Sequence, residues 1–260
     1  MIVDTHMHTE FSFDSSEKIE RMLEKAKELH MGITTTEHKD LNYEEVGGFP
    51  IDFDVDHYFK TYEKYRSDTY FMGIELGLDR NYTKELEHLT SQYPFDMVIG
   101  SLHTMKGFNL SSRKYLAKME EEVFYKEYLH YAKEMVEEHP FIDALAHFDY
   151  PTRYSPYREM RYEAYQEDFD GLFQAMVKHQ VTLELNLKRP LQGELYHAFK
   201  SVYGGYKSQG GQFVTLASDA HVAEDIGRNF HEAKSLLDEL GLEICYYRNR
   251  ERICQGSSLV

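Results

Sequence analysis

Apolar positions along this chain cluster in two rhythms. Short, nearly continuous apolar runs lie at 1–8, 32–38, 70–78, 95–103, 141–149, 181–187 and 211–221, and these seven read as strands. Between them the apolar residues recur at helical spacing. In 16–30 the stripe is Ile19, Met22, Leu23, Ala26 and Leu29, with Gly32 as a stop; in 223–240 it is Ile226, Phe230, Ala233, Leu237 and Leu240, with Gly241 as a stop. Segments 120–138 and 158–179 are further helix candidates, and 41–57 reads as a long acidic loop. Strands alternating with helices predict an α/β fold with a parallel sheet. The 260 residues suit a single domain over 1–260 of the α/β barrel type.

The strand ends carry the chemistry. Strand one ends in His6 and His8, strand two in Glu37 and His38, and strand three carries Glu75. Strand four ends at His103, strand five at His147 and Asp149, strand six carries Glu184 and Asn186, and strand seven ends in Asp219 and His221. Residues two apart in a strand share a face. The C-terminal ends of parallel barrel strands all lie on one face, where such enzymes keep their sites. A single strand-end histidine is ordinarily a satisfied structural group, but six of the chain's 14 histidines sit at these ends. Imidazoles mixed with carboxylates suit zinc, iron or manganese better than calcium or magnesium. The absence of cysteine from this cluster disfavours a closed structural zinc site. Eight or nine ligands exceed the needs of one ion, so two to three divalent ions are expected, with a carboxylate bridging.

Composition narrows the function. A net charge of −16 argues against a nucleic-acid partner, though not against an anionic small molecule held by bound cations. No apolar run nears the roughly 18–20 residues that cross a bilayer, so no membrane partner is expected. No secretory leader is read at the N-terminus. The two cysteines, Cys245 and Cys254, read as reduced thiols of a cytoplasmic protein. The tyrosines of 56–71 and 124–135 read as amphipathic packing with hydroxyls in water. A homo-oligomer is compatible with the sequence but not specified by it.

The ordered motifs "DTHMH", "TEH", "GIELG", "GSLH", "AHFD", "LELN" and "SDAH" resemble those of the polymerase and histidinol phosphatase (PHP) superfamily, from residue 1 to about 241. The resemblance implies a distorted seven-stranded TIM-like barrel with a trinuclear site. It implies one ion on His6, His8, Glu75 and Asp219, a second on Glu75, His103 and His147, and a third on His38, His221 and Asp14. Asp14 stands where many members carry histidine, and "DSSE" is also a capping-box pattern that would place Asp14 on a helix N-terminus. The layout is most similar to the stand-alone histidinol-phosphatase branch. That implies a metal-dependent phosphomonoesterase acting on L-histidinol phosphate in histidine biosynthesis, with a nucleotide or another small phosphate ester as the alternative substrate.

Under this reading Glu75, Asp14, His38 and Arg153 are the catalytic candidates. Two ions bridged by Glu75 suit in-line water attack, and Asp14 or His38 would protonate the leaving group. Arg153 and Arg189 are candidates for phosphate contact. Glu184, Asn186 and the acidic loop are candidates for recognising the amino alcohol. Deaminase-like barrels also begin with HxH but use a different later ligand set, and a non-catalytic barrel would be expected to have lost ligands.

Overall fold

The computed structural model describes residues 1–254. In chain order the strands are β1 (Val3–Asp4), β2 (Gly32–Lys39), β3 (Tyr70–Gly77), β4 (Met97–Ser101), β5 (Thr104–Met105), β6 (Phe108–Asn109), β7 (Ala144–Leu145), β8 (Thr182–Asn186), β9 (Phe213–Ala217), β10 (Glu243–Arg248) and β11 (Glu251–Cys254). The helices are α1 (Ile19–Glu28), α2 (Tyr43–Gly47), α3 (Val55–Tyr62), α4 (Thr83–Gln92), α5 (Arg113–Leu116), α6 (Glu121–Glu138), α7 (Gln166–His179), α8 (Gly193–Ser208) and α9 (Phe230–Leu240).

Nine strands form one sheet in the order β1-β2-β3-β4-β7-β8-β9-β10-β11, parallel throughout except for the final β10–β11 hairpin. All seven expected runs supply a strand, although β1 and β7 are only two residues long. The N-terminal segment also meets the far side of the sheet. Thr5 N–H donates to Leu216 O at 2.9 Å, Asp219 N–H to His6 O at 3.0 Å and His8 N–H to Ala220 O at 2.8 Å. The ends of the first and seventh runs therefore lie side by side.

The strand count is nine rather than seven, because the chain beyond residue 241 adds two strands. Their signal is the alternation in β10, where Cys245 and Tyr247 are buried between more exposed neighbours. The hairpin turns at Asn249 and Arg250, both at positive φ (50° and 67°), the pairing of a type I′ turn.

Local departures have local causes. Helix α1 buries Ile19, Met22 and Ala26, which at roughly 1.5–3 kcal/mol for each of the two larger side chains holds it on the sheet. Leu29 lies past its end and is exposed, and Gly32 opens β2 instead of capping the helix. Asn229, at φ 58°, breaks the 223–240 stripe, so α9 begins only at Phe230. Segment 41–57 is not wholly loop: it holds α2 and the start of α3, capped by the Asp54 side chain accepting from His57 N–H at 3.0 Å. Helices α4 and α8 were not anticipated.

Several of the tyrosines are buried and their hydroxyls bond inside the protein. The Tyr58 and Tyr70 hydroxyls meet Thr35 Oγ1 at 2.7 and 3.0 Å, and Tyr62 donates to Thr9 Oγ1 at 3.0 Å. Among the described residues no helix is long and apolar enough to cross a membrane.

Candidate metal centre

The register of the sheet gathers the polar strand ends. His38 on β2 lies directly opposite Glu75 on β3, and the segments after β1, β4, β7 and β9 bring His6, His8, His103, His147 and Asp219 to the same place. Glu75 is fully buried at the middle of the group. Its Oε2 lies 3.2 Å from His6 Nε2, 2.8 Å from His38 Nδ1 and 3.5 Å from His8 Nε2. Its Oε1 lies 3.2 Å from His103 Nε2 and 3.0 Å from His147 Nε2, and accepts from Ser101 Oγ. At the outer side, Asp14 Oδ2 sits 3.0 Å from His221 Nε2 and 3.6 Å from His38 Nε2. Asp219 Oδ1 is 3.7 Å from both His8 Nε2 and His221 Nδ1. Asp219 reaches this place from a left-handed backbone (φ 54°), a conformation that aspartate tolerates better than most side chains.

Outward hydrogen bonds fix which ring nitrogen of His6, His8, His103 and His221 faces the centre. His6 Nδ1 donates to Glu184 Oε2 at 2.8 Å. His8 Nδ1 meets Ser12 Oγ at 3.1 Å, and Ser12 in turn donates to Glu37 at 2.6 Å. His103 Nδ1 donates to Asp40 Oδ2 at 2.7 Å, and His221 Nδ1 to Asp219 O at 3.0 Å. Each ring proton is thereby assigned to Nδ1, and each Nε2 lone pair points inward. The Nε2 atoms of His6 and His8 face one another at 3.1 Å. With both rings neutral, two lone pairs cannot hydrogen-bond to each other and no proton is left for the carboxylates they also face, so an added proton or cation is favoured.

His147 Nδ1 is buried with no hydrogen-bond partner among the described residues, and His38 Nδ1 has only the Glu75 carboxylate that the other rings share, at 2.8 Å. Such a donor set is short of positive charge and fits cations. Three-atom groupings that could hold one are His6–His8–Asp219, His6–Glu75–His147, His38–Asp40–His103 and His8–His38–His221.

The electrostatics agree. Burial alone would depress His6 and His38, yet the carboxylates of Glu184 and Glu75, and of Glu75 and Asp14, hold them well above the ordinary imidazole value. His103 is likewise raised to about 9 against its burial, by Asp40 and Glu75. His8 and His147 are pushed down, first by burial; facing rings reinforce this at His8, and Arg153 and His103 at His147. Burial would raise Glu75 and Asp219, but surrounding cationic groups hold both well below the usual carboxylate range. The site favours extra positive charge, supplied by protons when no metal is bound.

The pocket above these residues opens to solvent and spans about 470 Å³ of empty space, open solvent included. Asp14, His38, His103, His147, Asp219 and His221 form its floor, and Phe13, Tyr43, Ile51, Tyr150 and Tyr154 its walls. Arg153 and Lys188 bring cationic groups to it. Arg153 forks onto Asp149 at 3.0 and 3.1 Å and also donates to Asn186 Oδ1 at 2.9 Å and Asp219 Oδ2 at 3.2 Å. Lys188 Nζ donates to Asp219 Oδ1 at 3.0 Å and is the more exposed of the two.

Several expectations change. Asp14 does not cap α1, which starts at Ile19 behind Lys18 with no side-chain cap. Asp14 is occupied by His221 and His38 instead. Glu184 is fully buried, and its carboxylate serves His6 Nδ1, the His147 N–H at 3.1 Å and Asn186 Nδ2 at 2.9 Å, so it orients ligands and offers no face to a substrate. Asn186 is buried beside it and occupied by Arg153. Arg189 is outside the pocket lining, tied to Glu159 at 2.6 Å and Asp149 at 2.8 Å. From 41–57 the pocket receives Tyr43 and Ile51 but none of that segment's carboxylates.

Sequence reasoning missed Asp40, Ser12 and Lys188. Asp40 had a readable signal, since it stands two residues after His38 and so on the same face of β2. Gly77 makes room for it: a Cβ there would meet the Asp40 carboxylate at 2.3 Å.

The fold and site define a class: parallel α/β proteins with a multi-ligand cation site at the strand ends. The model of the PHP domain matches residues 4–188, and the chain belongs to the PHP domain family. It is 35% identical to a probable histidinol-phosphatase of Clostridium acetobutylicum, covering 96% of this chain and 98% of that one. A histidinol-phosphatase of Lactococcus lactis is 25% identical, covering 92% and 91%. Among solved structures, a Lactococcus lactis histidinol phosphate phosphatase complexed with zinc, L-histidinol and phosphate aligns with a TM-score of 0.89 at 23% identity, covering 97% of this chain and 98% of that one.

Proposed function

We propose that this protein is a metal-dependent histidinol-phosphatase, hydrolysing L-histidinol phosphate to L-histidinol and phosphate in histidine biosynthesis. The observation that carries it is the end-to-end 35% identity to the clostridial relative, joined to a pocket whose floor is short of positive charge. Two to three divalent ions, zinc, manganese or iron, would be held by His6, His8, Asp14, His38, Glu75, His103, His147, Asp219 and His221. When bound, such ions activate water near neutral pH and offset charge on the phosphoryl oxygens.

The chain's own groups do the rest. Glu184, Ser12 and Asp40 hold the rings of His6, His8 and His103 with Nε2 inward. Arg153 and Lys188 draw the dianionic phosphate toward the floor. Arg153 arrives preoriented by Asp149, which takes its fork; with Asn186 and Asp219 holding two more of its five N–H groups, one Nη1 N–H is left to meet a phosphoryl oxygen. Asp14, beside His221 and His38, is held by those rings well below the usual carboxylate range against its burial, so it would serve as an ionised ligand of the outer ion and not as the proton donor. The aromatic walls exclude water from the non-phosphate part of the substrate.

Further parts of this proposal are a single domain over 1–260, a cytoplasmic location and a small-molecule substrate instead of a nucleic acid, the last supported by the −16 charge. We also read β1–β4 and β7–β9 as the seven strands of a distorted barrel extended by the β10–β11 hairpin. The backbone bonds from Thr5, His8 and Asp219 support that reading.

The test is phosphate release from L-histidinol phosphate by zinc- or manganese-loaded enzyme, with a nucleoside monophosphate as comparator. The proposal expects kcat/KM for histidinol phosphate to lead by about 10³ or more, as a site built to pair a substrate's polar groups allows. Equal turnover of both esters would overturn the substrate assignment.

A further inference from the structure

Cys245 and Cys254 lie directly opposite one another in the antiparallel β10–β11 pair. Opposed residues in such a pair carry their side chains on the same face. The turn fixes which kind of pair this is. Arg248 and Glu251 close a two-residue type I′ turn and form a hydrogen-bonded pair. Pairs then alternate outward: Tyr247 with Arg252 is not hydrogen-bonded, Tyr246 with Ile253 is, and Cys245 with Cys254 is not. Non-hydrogen-bonded pairs have their Cα atoms about 4.5 Å apart. That lies within the roughly 4.4–6.8 Å over which a disulfide closes without backbone movement.

The surroundings hold this register. Tyr247 is fixed by Thr182 Oγ1 at 2.6 Å and Asp143 O at 3.1 Å, and β10 pairs along β9 on its other side, with Cys245 opposite Thr215. At the turn, Arg250 Nε donates to Asp143 at 2.6 Å and Asn249 N–H to Asp96 at 3.0 Å. β11 is an edge strand of the nine-stranded sheet, and Cys254 is its last residue.

We propose that Cys245 and Cys254 form a thiol–disulfide site, closed by exchange with a low-molecular-weight disulfide such as oxidised glutathione, that staples the edge strand β11 to β10. The two thiols are free in the structure, Cys254 exposed and Cys245 fully buried. Exchange therefore begins at Cys254. Its thiolate attacks a glutathione sulfur, forming a mixed disulfide and releasing one reduced glutathione. Cys245 then attacks the Cys254 sulfur, its proton passing to the second departing glutathione. Two protein thiols are oxidised by two electrons and one glutathione disulfide is reduced to two thiols. Burial pushes the Cys245 thiol up to about 12, so it resolves the mixed disulfide and does not start the exchange.

The test is incubation of the whole protein with oxidised glutathione, followed by intact mass, alkylation under denaturing conditions and thermal melting. The expected product is a monomer lighter by two hydrogens that takes up no alkylating reagent. Its melting temperature should rise by about 5–10 °C, the effect of closing so short a loop in a chain of this size. Cys254→Ser, a change at an exposed position, should gain neither the mass loss nor the shift. Cys245→Ser should stop at the mixed disulfide; if that variant does not fold, Cys254→Ser alone decides. A wild-type product that retains glutathione, a disulfide-linked dimer, or two thiols still open to alkylation would overturn the proposal.

Discussion

Replacing Glu184 by glutamine changes one atom's chemistry at constant volume, and the structure says what must follow. The carboxylate accepts on both oxygens: Oε2 from His6 Nδ1 at 2.8 Å, Oε1 from the His147 N–H at 3.1 Å and Asn186 Nδ2 at 2.9 Å. An amide offers one acceptor and one donor group. With its oxygen toward His6, its NH₂ confronts two donors; reversed, it confronts His6 Nδ1 and forces the ring proton onto Nε2, where a metal would bind. The first arrangement sets a buried donor against donors, at about 1–3 kcal/mol; the second blocks the nitrogen that faces the centre.

Loss of a group orienting a ligand histidine typically weakens metal binding 10- to 100-fold, which is about 1.4–2.7 kcal/mol. His6 belongs to the groupings with His8 and Asp219 and with Glu75 and His147, but not to His8–His38–His221. Zinc titration against a chromogenic chelator should therefore show one or two sites weakened and the outer site kept. A folded variant whose zinc affinities all lie within about twofold of wild type would refute the reasoning.

Other perturbations separate the remaining roles. Arg153→Ala should raise KM for the phosphate ester about tenfold or more with metal content unchanged, since a charge-assisted pair to phosphate is worth about 1.5–3 kcal/mol; steady-state kinetics with elemental analysis checks this. Asp14→Asn should reduce metal stoichiometry at the outer site, read by equilibrium dialysis, because the amide loses the negative charge that His221 and His38 now hold. Metal affinity should fall as pH falls, because the ring nitrogens must shed protons to bind; the slope of log K against pH in the same titration is positive. Chelation should lower the melting temperature by several degrees, with restoration on adding metal back, because ions bind the folded state alone.

Much of the site was legible because strand periodicity and strand ends are local properties. His6 and His8, or Asp219 and His221, declare a shared face by spacing alone. Side-chain occupancy is tertiary, and there the reading failed. Glu184 resembles a substrate contact until His6 is seen to claim it, and Arg189 resembles a phosphate ligand until Glu159 and Asp149 are seen to hold it. Lys188, its neighbour, reaches the pocket instead. Asp14 was ambiguous since a capping box and a ligand share one local pattern, and only the distant His221 decides between them. The β10–β11 hairpin followed the last recognised motif and went unread, although its alternation was present.

The measurement that tests the central claim most directly is metal content against activity in one preparation. Protein stripped by chelator is dialysed against graded zinc or manganese, and bound metal per chain is plotted against phosphate release from L-histidinol phosphate. The account predicts no turnover without metal, and activity that rises as the inner ligands fill and saturates at two to three ions per chain. Undiminished hydrolysis by metal-free protein, or full loading with no hydrolysis of histidinol phosphate, would contradict it.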